Sequence, residues 1–323
     1  MDLEDLDVAV SNGSIDTVLL ALTDMQGRLQ GKRLHGPFFM QEVADGGSEG
    51  CNYLLAVDVD MNTVDGYAMS SWSSGYGDFV MKPDFATLRK VPWQPGTAMV
   101  LADLETTAGE PVYASPRQIL RRQLDRLAAH GLTAFAGTEL EFVLYQDTYE
   151  QAFTKNYRGL TPANQYNVDY SLLGTARVEP LLRRIRNEMY GAGLIPESAK
   201  GECNLGQHEI AFRYADALKA ADNHVIYKNG AKEIAAQEGM ALSFMAKPNE
   251  REGNSCHIHF SVRDSEGKSA MLGDGPAHLS VTGQRVVAGL LATMRELSLF
   301  FAPNISLRMR RSNGSTRAVP SSE

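Results

Sequence analysis

Carboxylates and imidazoles recur two residues apart in segments that have the composition of strands. Glu139 and Glu141 lie in AGTELEFVLY, and His257 and His259 lie in GNSCHIHFSV. Successive side chains of a strand point to opposite faces, so each pair shares one face. Two carboxylates held this close repel each other unless a cation lies between them. The spacing therefore predicts a sheet that carries a divalent-cation site on one face.

A third segment, GECNLGQHEIAFRY, places Glu202 and Glu209 on either side of a turn-rich stretch. Gly206 and Gln207 allow the chain to reverse there, which brings both carboxylates to one place. Each segment taken alone also has a plainer interpretation. The glutamate pair suits a solvated strand face, the histidine pair suits surface histidines, and the turn suits a polar loop.

The ligand types favour Mg²⁺ or Mn²⁺ over zinc. Carboxylates with one or two imidazoles form a hard, oxygen-rich set. The sequence has no HExxH helix, and Cys51, Cys203 and Cys256 lack the spacing of zinc ligands. It also lacks GxGxxG and GxxxxGK[ST] motifs. These features indicate phosphoryl chemistry, in which cations offset the charge of phosphate oxygens.

Composition limits the partners and the compartment. The 31 Lys and Arg against 39 Asp and Glu give a net charge of −8, which argues against a nucleic-acid surface. No apolar run reaches the roughly 18 residues of a membrane span. The start, MDLEDLDVAV, lacks the basic region of a signal peptide, and the three scattered cysteines suit a reducing compartment. We predict a cytoplasmic protein without a nucleic-acid or membrane partner.

The N-terminal part of the sequence predicts a small α+β domain over residues 1–108. A helix is expected at 3–11, followed by a hairpin whose turn is centred on 25–27. Two β-rich runs, YLLAVDVD and TAMVLADL, flank the stretch DGYAMSSWSSGYGD. That stretch is interpreted as a long functional loop.

The polar segment 106–115 is the expected boundary, and residues 115–303 are expected to form a second domain. Helices and strands alternate there. Helices are expected at 116–131, 178–192, 215–239 and 279–300, and strands at 133–145, 206–214, 242–248 and 256–264. Residues 304–323 are rich in Arg and Ser and poor in apolar side chains, so we expect a disordered tail.

Five segments in order carry a resemblance to a known family. They are SWSSGYGDFVMKPDFATLRKVPW, GTELEF, GE…NLGQHEIAFRY, MAKP and GNSCHIHFS. Over residues 15–303 the chain resembles the glutamine synthetase family, and within it the bacterial γ-glutamyl-amine ligases. The resemblance implies an α+β fold, with a small β-grasp-like N-terminal domain and a catalytic domain of helices on a curved antiparallel sheet. It also implies homo-oligomeric rings with active sites between subunits.

The resemblance further implies two Mg²⁺ or Mn²⁺ ions in each site. One ion would be held by Glu141, Glu202 and Glu209. The other would be held by Glu139 and His257. The implied reaction is ATP-dependent ligation of the γ-carboxylate of glutamate to ammonia or a small amine, through γ-glutamyl phosphate.

The remaining site residues are also assigned through the resemblance. ATP, which is a substrate, would be bound by Glu197, Tyr214, His259 and Ser261. Gly253 would contact glutamate, and Asp65 in the long loop would act as a catalytic residue toward the amine. The stretch DGYAM replaces the DGSS of ordinary glutamine synthetases, which weakens the case for ammonia and favours another amine.

The sequence departs from the family pattern near its end. Where members continue to Asn-x-Tyr-Lys-Arg, this chain reads Asn-Ile-Ser-Leu-Arg-Met-Arg-Arg from residue 304. We expect a catalytic domain that is truncated at its C-terminus, either by a frameshift or early stop or as a shortened paralogue. We also expect a poor catalyst, because the loss of one charge-stabilising group lowers the rate by about 10²–10³-fold.

Two other functions remain open at this point. One is an inactive relative that binds metal or nucleotide, or that joins rings of a full-length partner. The other is a guanidino-phosphotransferase, which needs a reactive cysteine. Cys256 beside His257 is the one candidate for that role, and it fits the ligase motif better.

Overall fold

The computed structural model describes residues 1–70 and 75–301 of the chain. These residues form two compact units. The first unit comprises Met1–Ala136, Arg183–Pro196 and Arg213–Ile234. The second comprises Gly137–Leu182, Glu197–Phe212 and the chain from Ala235. The domain boundaries given by the sequence stay a prediction, and the expected tail and part of the expected long loop lie outside the described residues.

A mixed five-stranded sheet with a helix on it forms the N-terminal part of the first unit. The strands are β1 (Thr17–Thr23), β2 (Leu29–His35), β3 (Ser48–Cys51), β4 (Asp78–Lys90) and β5 (Thr97–Thr106), in the order β2-β1-β5-β4-β3. The central pair, β1 and β5, is parallel, and the neighbouring pairs are antiparallel. Helix α1 (Leu3–Ser11) begins at Asp2, which forms a capping box with Asp5. Its Leu6 joins the apolar core under the sheet.

The predicted hairpin is confirmed, while one predicted strand is wrong. In the β1–β2 turn, the Asp24 carboxylate accepts from the N–H groups of Gln26 and Arg28, both at 2.9 Å, and Gly27 has a φ of +67°. The run YLLAVDVD instead contains a 3-10 turn at Asn52–Leu55. Residues 55–57 are all buried, which a strand with one buried face cannot achieve.

Three longer helices complete the first unit. They are α3 (Pro116–Ala128) and the larger parts of α6 (Glu179–Gly191) and α7 (Ala217–Gln237). The short elements are α2 (Gly36–Phe38), a π-helical turn (Phe39–Val43) and β9 (Ala215–Asp216). The helices predicted at these places are confirmed.

The buried residue of α3 is Arg117, whose guanidinium contacts Asp84, Asp103 and Asp222 at 2.6, 2.6 and 2.9 Å. A charge cluster therefore connects β4, β5, α3 and α7.

The second unit is built on an antiparallel sheet whose central strand is β6 (Thr133–Tyr145). The other strands are β7 (Pro196–Gly201), β8 (Gln207–Phe212), β10 (Ala241–Ser243) and β11 (Cys256–Arg263), in the order β10-β6-β8-β7 with β11 also paired to β6. Helices are α4 (Tyr149–Thr154), α5 (Leu172–Thr175), a 3-10 turn (Pro276–His278), α8 (Val281–Thr293) and α9 (Ser298–Phe301). None of the described helices combines the length and apolarity needed to cross a membrane.

The predictions for the second unit are confirmed for the strands that carry the motifs. Strand β6 has the predicted bounds, and β8 and β11 differ from prediction by one or two residues at their ends. Strand β7 was missed because its sequence, PESAKG, has neither alternation nor β-branched residues. The predicted strand at 242–248 is confined to three residues, and the predicted last helix is interrupted after Thr293.

The His224 imidazole on α7 gives the first unit a pH-dependent stability. Its burial, together with the nearby Lys228 ammonium, lowers its pKa from 6.5 to about 4. The unfolded chain therefore takes up this proton first, and stability is lost as the pH falls from 6.5 through 4. Between pH 6.5 and pH 4, we expect the free energy of unfolding, measured by urea denaturation, to fall by about 2 kcal/mol less in His224→Gln than in the parent chain. His130→Gln, at an exposed position, is the control and should show the same change with pH as the parent. An identical dependence of the unfolding free energy on pH in all three proteins would contradict the assignment to His224.

Candidate active site

The register of β6 and β8 places two glutamates directly across from each other. Glu141 pairs with Glu209, and Glu139 pairs with Ala211 one step along the same face. Both Glu141 and Glu209 are only 6% exposed. Like charges opposite each other destabilise a sheet. This pair therefore requires compensation by donors or by a cation.

Glu141 is held rigidly by neighbours from two segments. One carboxylate oxygen accepts from the side-chain amide of Gln207 at 2.7 Å and from the N–H of Ser255 at 2.9 Å. The Ser255 hydroxyl donates to the other oxygen. The Gln207 amide also donates to the carbonyl of Gly253 at 3.1 Å. These contacts orient the carboxylate through neutral donors. Among the described residues, none of its hydrogen-bond donors is a cationic side chain.

A tight turn between β7 and β8 brings Glu202 to Glu209. The Glu202 N–H donates to the carbonyl of Gln207 at 2.9 Å. Gly206 has a φ of +69°, and a Cβ there would lie 2.5 Å from the Leu144 carbonyl oxygen, so the turn requires glycine. Ligand atoms of Glu141, Glu202 and Glu209 lie within 4.8 Å of one another. This first group matches the set expected for one ion.

The electrostatics of the first group fit a divalent cation. Burial, followed by the surrounding carboxylates, raises the pKa of Glu209, and the Lys200 ammonium offsets part of this effect. Burial and the Glu141 carboxylate likewise raise the pKa of Glu202, against the hydrogen bond from Lys200. Three carboxylates that converge in a partly dry site, with no sulfur among them, form the donor set that Mg²⁺ or Mn²⁺ prefers.

A second group forms around Glu139. Its ligand atoms lie within 4.8 Å of those of Glu209 and His257, so Glu209 belongs to both groups. The Glu139 carboxylate lies 3.1 Å from His257 Nδ1 and 3.0 Å from His259 Nε2. Burial raises the pKa of Glu139, but the hydrogen bond of His257 and the charge of His259 outweigh it and lower the pKa. The set of one imidazole and two carboxylates also fits a hard divalent ion.

The other sequence-predicted residues are divided between the units. In the second unit, His259 and Glu197 are exposed, while Ser261 and Gly253 are half-buried. In the first unit, Asp65 lies on an exposed turn, and Tyr214 is half-exposed with its ring edge-on to Phe135. The structure therefore brings together the five expected metal ligands, while the expected roles of all the site residues stay a prediction.

Sequence reasoning missed several residues beside the metal ligands. Lys200 forms an ion pair with Glu202, its ammonium lies 3.6 Å from a Glu209 oxygen, and the Tyr170 ring centroid is 4.9 Å from it. Asp169 groups with Glu202 and Cys203 within 4.8 Å. Lys200 lies on β7, two residues before Glu202. Once β7 is recognised as a strand, this spacing indicates that the two side chains lie on the same side of the chain. No local signal reveals Asp169 or Tyr170.

A cleft of about 410 Å³ opens beside both groups. It is lined by Glu139, Tyr170, Ser171, Leu172, Thr175, Ser198, Ala199, Lys200, Gly201, Glu209 and Ala211. Glu139 and Glu209 therefore face a space large enough for a small polyanion. Cations held at this wall would meet the negative charge of such a ligand directly.

The sequence of the chain is similar to those of known proteins. Residues 113–321 match the family model described as "Glutamine synthetase, catalytic domain". The gamma-glutamylethanolamide synthetase GlnA4 of Streptomyces coelicolor is 65% identical over 98% of this chain and 68% of its own length. The glutamate–isopropylamine ligase of a Pseudomonas species is 36% identical over 95% of this chain and 67% of its own length.

A solved structure of GmaS without ligand shares the fold. It has a TM-score of 0.82 and 26% identity, and the match covers 96% of this chain and 69% of that one. The predicted α+β class, with helices on antiparallel sheet in the catalytic part, is thereby confirmed. The family match covers well over half of the chain and the similarity to relatives extends over nearly all of it. The chain belongs to the glutamine synthetase family.

Proposed function

We propose that the protein is an ATP-dependent glutamate–amine ligase. It joins the γ-carboxylate of glutamate to ammonia or a small amine through γ-glutamyl phosphate. The observation that carries this proposal is the position of Glu209, which belongs to two groups of ligating side chains and faces one cleft. A pair of adjacent cation sites at the wall of a cleft suits phosphoryl transfer.

The two cations are assigned to the two groups. Glu141, Glu202 and Glu209 would hold the first, and Glu139 and His257 would hold the second, with Glu209 beside both. When bound, Mg²⁺ or Mn²⁺ supplies positive charge against the phosphate oxygens of ATP. The hydrogen bonds from Gln207 and Ser255 keep Glu141 in one orientation, which preorganises the first group.

The substrates are assigned to the rest of the site. ATP would contact Glu197, Tyr214, His259 and Ser261. Gly253 would contact glutamate, and its carbonyl is already fixed by Gln207. Asp65 would take a proton from the amine. The ATP and glutamate assignments rest on the family motifs, whereas Asp65 is assigned only from its place in the region of the family's amine-binding aspartate.

The reaction proceeds in two balanced steps. A γ-carboxylate oxygen attacks the γ-phosphorus of ATP, and the bond to ADP breaks. The resulting acyl phosphate is a better electrophile than a carboxylate, so the neutral amine nitrogen attacks its carbonyl carbon. The bond between the carbonyl carbon and the bridging phosphate oxygen then breaks, inorganic phosphate leaves, and the nitrogen loses a proton to the proposed base.

Ethanolamine is the first acceptor to test. A relative that is 65% identical is named as a gamma-glutamylethanolamide synthetase, and two others are named as ligases of isopropylamine and methylamine. The DGYAM stretch also differs from the DGSS expected with ammonia. Both observations favour an organic amine over ammonia.

The alternative is a catalytically inactive relative that binds metal or nucleotide, or joins the rings of a full-length partner. It is favoured by the sequence after Asn304, which lacks the Asn-x-Tyr-Lys-Arg pattern of the family. The family match nevertheless extends to residue 321. Turnover by the 323-residue chain decides between the two functions.

The test is phosphate release from ATP by the full chain with Mg²⁺ and glutamate. Ammonia, ethanolamine, isopropylamine, methylamine and polyamines are added in turn, and the product is identified by mass spectrometry. We expect release that depends on both glutamate and amine, fastest with ethanolamine. Detectable binding of Mg-ATP without any such turnover would reject the ligase proposal in favour of the inactive relative.

A further inference from the structure

Lys200 occupies a position that a cation also needs. Its ammonium forms an ion pair with one oxygen of Glu202 and lies 3.6 Å from an oxygen of Glu209. Both carboxylates belong to the first group. An ammonium and a divalent ion cannot use the same lone pairs of these oxygens. Two cations bound by the same carboxylates would also lie close enough to repel each other.

We propose that Lys200 is a built-in counter-cation, which competes with the divalent ion for Glu202 and Glu209 and thereby sets the affinity of the first metal site. This inference rests on the proposed function, because it concerns the metal site of that reaction. It assigns Lys200 a positioning role, since the residue acts through the two glutamates.

In the metal-free chain, Lys200 compensates part of the negative charge of the first group. Glu141, Glu202 and Glu209 together carry three negative charges within a few ångströms, and two of them are buried. Among the described side chains, Lys200 is the cation that forms ion pairs with this group. Its ammonium therefore relieves the repulsion between the carboxylates while no metal is bound.

The surroundings give the displaced ammonium a place to go. The Tyr170 ring lies 4.9 Å from it and offers a face on which a cation is stabilised. Tyr170 is held with a φ of +52°, in the left-handed region that its residue type rarely adopts. The cleft on the same side is lined by Ser171 and Ser198. On binding of the divalent ion, rotation of the lysine stem toward this ring and the cleft would move the ammonium away from the glutamates.

The test measures Mn²⁺ binding to the full chain by calorimetry and by electron paramagnetic resonance. A His257→Ala background weakens the second site, so that the first is observed alone. We expect Lys200→Met, which keeps the apolar stem and removes the charge, to tighten Mn²⁺ binding about tenfold. Lys200→Arg keeps the charge and should bind Mn²⁺ no tighter than the parent. Lys155→Met removes an ion pair with Asp147 elsewhere in the second unit and serves as the matched control.

Thermal unfolding provides a second readout that does not require activity. In EDTA, Lys200→Met should melt below the parent, because the carboxylates lose their counter-cation, and added Mn²⁺ should raise its midpoint more than that of the parent. Unchanged or weaker Mn²⁺ binding in Lys200→Met, while the parent binds, would overturn the inference and leave the metal site intact. Absence of Mn²⁺ binding in both folded proteins would reject the metal site and the inference with it.

Discussion

Replacing Glu141 with glutamine is expected to weaken Mn²⁺ binding by at least 100-fold and to lower any amine-dependent turnover by about 10³-fold. Glu141 is the most firmly oriented carboxylate of the first group, fixed by Gln207 and by both polar groups of Ser255. Glutamine keeps the size but removes the charge. Its NH₂ group also presents donors toward the Gln207 amide or the Ser255 N–H, so the orientation is lost together with the charge.

Metal binding is the primary measurement for this variant, because it does not depend on turnover. Glu266→Gln is the matched control. Glu266 is an exposed glutamate of the same unit that pairs with Lys268, and its replacement should leave the Mn²⁺ affinity unchanged. Mn²⁺ affinity equal to that of the parent in Glu141→Gln would exclude Glu141 from the first site.

The grouping of the expected metal ligands was predictable in part, because two of the pairs follow strand periodicity. The i, i+2 spacing placed Glu139 with Glu141 on one face of β6, and the resemblance then paired this face with Glu209 and His257. The direct opposition of Glu141 and Glu209 depends on the register between β6 and β8, two strands that are far apart in the sequence. Register is a property of two strands, so neither strand alone reveals it.

What could not be predicted depends on contacts between distant segments. Tyr170 lies about thirty residues before Lys200 in the sequence, and only the folded loop brings its ring to the ammonium. Strand β7 escaped detection because it is polar, and the 3-10 turn at Asn52–Leu55 escaped because its apolar run resembles a strand. Arg117 is the clearest case, because helical periodicity assigns a polar residue to solvent, whereas this one is buried among aspartates.

Replacing Arg117 with methionine is expected to lower the stability of the first unit by about 3–5 kcal/mol. The Arg117 side chain is 4% exposed, and its guanidinium contacts three aspartates that come from β4, β5 and α7. Methionine fills a similar volume but leaves Asp84, Asp103 and Asp222 without this cation. Arg121 still reaches Asp84 at 2.6 Å and Asp103 at 3.0 Å, so Asp222 on α7 bears the largest loss.

Urea denaturation followed by circular dichroism measures this loss. The control is Arg126→Met in the last turn of the same helix, where the guanidinium donates to Gln123 at the surface. We expect a change within about 0.5 kcal/mol for the control. Adding Asp222→Asn to Arg117→Met should restore part of the stability, because it removes the buried charge that lost its partner. Equal midpoints for Arg117→Met and Arg126→Met would show that the buried cluster contributes nothing specific.

The pH dependence separates the loss of charge pairing from a loss of packing. Burial raises the pKa of Asp84, but the hydrogen bond and charge of Arg117 outweigh it and lower the pKa. This depressed pKa contributes stability that is present at neutral pH and is lost as the pH falls through the folded-state value. In Arg117→Met the unpaired aspartates take up protons more readily on acidification. Because the ordinary pKa of an aspartate is 3.8, the stability gap between parent and variant should narrow as the pH falls below that value, whereas a packing defect would leave it constant.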